Sequence, residues 1–140
     1  MSVRLKLARV DLFINECEDR CCARVVLQLG SVDFLGQFEG LKSESQATIA
    51  QATFDSVNQA LIAFTGEALE LQLLGVDQIQ PIFLDQGQNL FVVTAGILRS
   101  GRHTKVVGVV VAEQDLYKQA VAAAALDALN RQIAYLLMQH

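Results

Sequence analysis

Residues 106–133 read VVGVVVAEQDLYKQAVAAAALDALNRQI. This is an apolar run of strand length, a short polar junction, and an Ala-rich stretch whose apolar residues recur at helical spacing. The same order occurs 72 positions earlier, where residues 34–61 read FLGQFEGLKSESQATIAQATFDSVNQAL. In ungapped register Gly36, Ala50, Ala52, Asp55 and Asn58 match Gly108, Ala122, Ala124, Asp127 and Asn130. Phe34, Phe38, Phe54, Val57 and Leu61 fall opposite Val106, Val110, Leu126, Leu129 and Ile133. Five identities carried on a shared hydrophobic pattern indicate an internal duplication, which fixes the architecture before any local reading.

The segments upstream of each copy support the same conclusion. In the first, apolar residues stand at Leu5 and Leu7, then at Val10, Leu12 and Ile14, so their parity changes near Ala8-Arg9. One extra residue in a strand does this, and the reading predicts a β-bulge. In the second, Leu71 and Leu73 precede Val76, with the slip at Leu74-Gly75, the equivalent place 66 residues later.

In order, the chain then predicts a polar turn from Asn15 to Cys21, a strand from Cys22 to Leu29 and a hairpin at Gly30-Ser31. A strand through Phe34, Gly36 and Phe38 follows. A helix comes next, with Ser43 or Ser45 as its cap, the stripe Ala47, Ala50, Phe54, Val57, Leu61, Phe64, and an end at Thr65-Gly66. The second copy repeats this with an opening strand from Leu69, a polar loop from Asp85 to Asn89, and strands over Leu90–Leu98 and Thr104–Ala112. A helix over about Asp115–Met138 closes it. The fold class is α+β: a tandem βββα repeat, spanning about 3–65 and 69–138 in a single domain of 140 residues, with antiparallel sheets carrying helices on one face.

The copies differ in one respect that bears on function. Gln37 and Glu39 correspond to Val109 and Val111, so the later strand is apolar on both faces. The last helix carries Val121, Ala124, Ala125 and Ala128 beside its main stripe, a band of small residues suited to close approach. Together with Val107, these residues form the expected interface. Composition agrees: 52% of residues are apolar and 19% charged, against a usual charged share of about a quarter. The surplus predicts that a second copy of the chain, or a larger protein partner, covers part of the surface.

In order and landmarks the chain resembles the C-terminal regulatory domain of 2-isopropylmalate synthase and citramalate synthase. Leu69-Glu70-Leu71-Gln72-Leu73-Leu74 followed by Val76 is similar to that family's opening strand. Gly108 lies near its glycine-rich strand end, and Asp115-Leu116 followed by Ala128-Leu129-Asn130-Arg131 is similar to its last helix. The resemblance implies a module that dimerises and binds an end-product amino acid. The synthases' catalytic barrel, about 250 residues, does not fit within this sequence. The strand-to-helix junctions would then be the ligand site, with Gly40, Ser43, Ser45, Gly108 and Asp115 as candidates, because helix N-terminal amides receive carboxylates.

Other chemistry is not indicated. A net charge of −4 and a pI near 5.0, with scattered Lys and Arg, argue against nucleic acid as partner. Cys17, Cys21 and Cys22 form a C-x3-C-C cluster, but structural zinc takes about four ligands in paired spacings, and adjacent strand residues point to opposite faces. The expectation is reduced thiols and no metal. Asp55 and Asp127 recur but read as solvated helix residues beside Asn58 and Asn130. His103 reads as a turn residue. No Ser/His/Asp order, phosphate-binding glycine loop or H-E-x-x-H segment occurs, so no catalytic residue, enzyme activity or cofactor is expected. No run reaches the roughly 20 apolar residues of a membrane span, and the alternating start Met1–Lys6 is unlike a signal peptide. The expectation is a cytoplasmic, non-catalytic regulatory or dimerisation module, or else a purely structural self-associating protein.

Overall fold

A computed structural model describes residues 4–82 and 87–139. Strands β1 (Lys6–Asn15), β2 (Arg20–Leu29) and β3 (Val32–Leu41) are followed by helix α1 (Ser45–Thr65). Strands β4 (Glu70–Ile79), β5 (Gln88–Arg99) and β6 (Arg102–Glu113) are followed by helix α2 (Tyr117–Met138). Two three-stranded antiparallel sheets result, ordered β1-β2-β3 and β4-β5-β6. The tandem βββα repeat read from the sequence is the fold.

Both bulges lie where the parity shifts put them. The β1–β2 register breaks between Leu7 and Arg9, and the β4–β5 register between Leu73 and Gly75. Each slip lets one strand keep its apolar residues inward: Leu7 and Val10 pair with Leu27 and Val25, while Leu73 and Val76 pair with Ala95 and Val93. The hairpins turn at Gly30, with φ 64°, and at Ser100-Gly101, with φ 53° and 76°. Positive φ at both central residues of the second turn, and at the first central residue of the first, matches the strand twist in two-residue turns.

Each helix lies on the inner face of its own sheet. α1 packs on β2 and β3 and also touches β4, whereas α2 packs on β5 and β6 and touches β1; the helices pack against each other. One hydrophobic core joins the repeats, from Val25 and Leu27 through Ile49, Val57 and Leu61 to Phe91, Val93, Val121 and Leu129. Buried α1 hydroxyls are satisfied locally: Thr53 donates to the Ile49 carbonyl at 2.9 Å and Ser56 to the Phe34 carbonyl of β3 at 2.7 Å.

Some expected boundaries shift. β2 begins at Arg20, because Arg20 and Cys21 pair with both Asn15-Ile14 and Leu41-Gly40. β5 begins at Gln88, paired with Glu113, and the rest of the loop expected over 85–89 falls largely outside the described residues. A 3-10 turn precedes each helix, at Lys42–Glu44 and Gln114–Leu116, so α2 starts at Tyr117 and not at Asp115. Neither Ser43 nor Ser45 caps α1, since the cap position is Glu44 and makes no side-chain bond. The Ser45 hydroxyl instead donates back to the Lys42 carbonyl at 2.6 Å. Gly66 does end α1, with φ 78° and its N–H bonded to Ile62 O at 3.0 Å. Among the described residues no helix is long and apolar enough to cross a membrane.

Candidate functional site

The duplicated glycines mark where helix meets sheet. A Cβ on Gly108 would lie 1.9 Å from Ala124 O and 2.5 Å from Ala128 N, and one on Gly36 would lie 2.2 Å from both Ala52 O and Ser56 N. The helix backbones occupy the space of a missing side chain, a use of strand glycine that close approach requires. Gly108, expected as a ligand residue, therefore has no room beside it for a ligand.

The recurrent aspartates belong to the same device and are not merely solvated. The Asp55 carboxylate accepts the N–H of Gln37 at 2.9 Å, and that of Asp127 the N–H of Val109 at 3.1 Å. Each amide follows its glycine on an edge strand, where sheet partners exist on one side only. The carboxylate satisfies an edge donor and ties helix to strand. The sequence signal was the Gly-to-Asp spacing shared by both copies. Asp127→Ala should lower stability by about 1 kcal/mol, read as a fall in urea midpoint together with faster amide exchange at Val109; unchanged exchange there would refute the tie.

The other ligand candidates are only partly brought together. Ser43 and Ser45 line an open concavity of about 510 Å³ with Lys42, Gln46, Val76 and Tyr117. Gly40 faces α1, where a Cβ would meet Thr48 Oγ1 at 2.4 Å, and Asp115 is exposed on the second 3-10 turn. Lys42 bonds to Glu16, and that hydrogen bond with the accompanying attraction raises its pKa. Two further grooves, of about 360 and 400 Å³, occupy equivalent places in the repeats. One lies over Phe54, Asp55 and Asn58 of α1, the other over Leu126, Asp127 and Asn130 of α2.

Cys21 is buried, its thiol 3.4 Å from Leu41 O and 3.7 Å from Thr48 Oγ1. Cys22 pairs with Phe13 and Glu39 on the outer face, and Cys17 is exposed in the β1–β2 turn. Neighbouring thiols thus point apart. Among the described residues no group of three or more His, Cys, Asp or Glu gathers at a metal-binding distance.

The expected interface divides in two. Val121, Ala124, Ala125 and Ala128 are buried within the chain, because α2 already uses its small-residue band in packing on β6 and α1. They offer no surface to a second subunit. Val107, Val109 and Val111 are 52%, 44% and 47% exposed on the outer face of the second sheet. Leu74 and Ile79 of β4 are each 49% exposed beside them, and Leu90 and Val92 of β5 complete the patch.

The first sheet supplies the comparison. By register, Arg24 pairs with Asp11 and Gln37 where Val92 pairs with Asp77 and Val109. Arg24 Nε donates to Gln37 Oε1 at 3.1 Å, and its guanidinium lies 5.3 Å from the Phe13 ring centroid. Glu39 stands where the later strand has Val111. Around Arg24 the first face is polar and internally bonded, although Phe13, Leu35 and Leu41 are exposed on it; at the equivalent rows the second face carries valines, flanked by charged residues of β4 and β6. No family model matches this chain, and no curated protein matches it either.

Proposed function

We propose that the chain is a non-catalytic module that self-associates through the outer face of the β4–β5–β6 sheet. The observation carrying this reading is the contrast between equivalent faces: the backbone is duplicated, yet the Arg24–Gln37 pair is replaced by Val92 and Val109. Burying apolar area stabilises association by about 25 cal/mol per Å², and contiguous apolar patches on a protein surface mark interaction sites. A regulatory role, with an amino acid or similar metabolite as effector, leans on the resemblance to the 2-isopropylmalate synthase regulatory domain. The geometry favours the structural version, since of the five ligand candidates only Ser43 and Ser45 share a concavity. We assign the module to the cytoplasm, in keeping with three free cysteines, because reducing compartments keep thiols unpaired.

Sedimentation over a concentration series tests the reading. The wild type should self-associate, and Val109→Glu should weaken association at least tenfold (about 1.4 kcal/mol), because a carboxylate would be caught between apolar faces. Gln37→Glu, at the equivalent position of the first sheet, should leave association unchanged. A wild-type chain that stays monomeric at about 100 μM, a concentration matching some 5–6 kcal/mol of binding, overturns the proposal and leaves the face to another protein.

A further inference from the structure

We draw no further inference here: the strongest candidate, the groove of about 400 Å³ between the start of β1 and the edge of β6, where Arg4 and Lys6 border Leu126, Asp127 and Asn130 of α2, carries nothing, because its Asp127 carboxylate is already engaged by the Val109 N–H and nothing in the structure shows what would cover the apolar remainder.

Discussion

Replacing Gly108 with alanine is expected to lower stability by about 3 kcal/mol or more, at the upper end of overpacking effects. The new methyl would sit 1.9 Å from Ala124 O and 2.5 Å from Ala128 N, and both obstacles are helix backbone. A flexible side chain could swing aside, but α2 could yield only by lifting off β6. That movement would open space beneath Val121 and Leu129, both fully buried, so the strain has no inexpensive outlet. Gly36→Ala should cost a similar amount, since Ala52 O and Ser56 N both lie 2.2 Å from its Cβ position. Neither glycine has a positive φ, so the requirement is for space and not for backbone freedom. Gly96→Ala provides the control: its methyl would point to the outer face and meet Leu74 Cδ1 at 3.7 Å, an ordinary contact. Urea midpoints at constant slope would measure all three. A loss under 1 kcal/mol at Gly108 would mean that α2 is not seated on β6 as described.

The same glycines show what could be read from the sequence and what could not. Periodicity and the double register located the bulges at Leu7–Arg9 and Leu73–Gly75, because a parity change in a strand with one buried face has few other causes. The pairing of Gly36 with Gly108 signalled a repeat, but its reason, helix backbone in place of a side chain, is tertiary. Asp55 and Asp127 look like solvated helix residues from their neighbours alone. Their partners, the N–H groups of Gln37 and Val109, are 18 residues distant in sequence, beyond any local pattern. The small-residue band of α2 was legible as a close-packing surface. Its partners were not, since Val121, Ala124 and Ala125 would suit another subunit as well as α1 and β6. The serines of the first junction suggested a cap because composition does not show the extra 3-10 turn, which leaves Glu44 at the cap position. The valine row was readable throughout: strand alternation put Val107, Val109 and Val111 on one face, and the wet counterpart in the first repeat indicated which face.

Asn58→Ala should cost about 2–4 kcal/mol, the sum of two hydrogen bonds and the orphaning of their partners. The Asn58 side chain donates to Leu69 O at 2.9 Å and accepts from Leu69 N–H at 2.8 Å. One amide therefore reads both backbone groups of the residue that enters β4, as a neighbouring strand would. Leu69 is only 6% exposed, so water cannot readily replace what alanine removes. The bond ties α1, the last element of the first repeat, to the first strand of the second. Its loss should therefore loosen the junction between halves more than either sheet. Asn58→Asp discriminates further, because it keeps an acceptor for the Leu69 N–H but sets a carboxylate against the Leu69 carbonyl. It should destabilise the fold despite preserving shape. Amide exchange at Leu69 should accelerate in both variants ahead of Val25 and Val93 in the central strands, if the junction opens as a local unit. Equal acceleration at all three sites would instead show that the halves unfold together and that this clamp does not govern their contact.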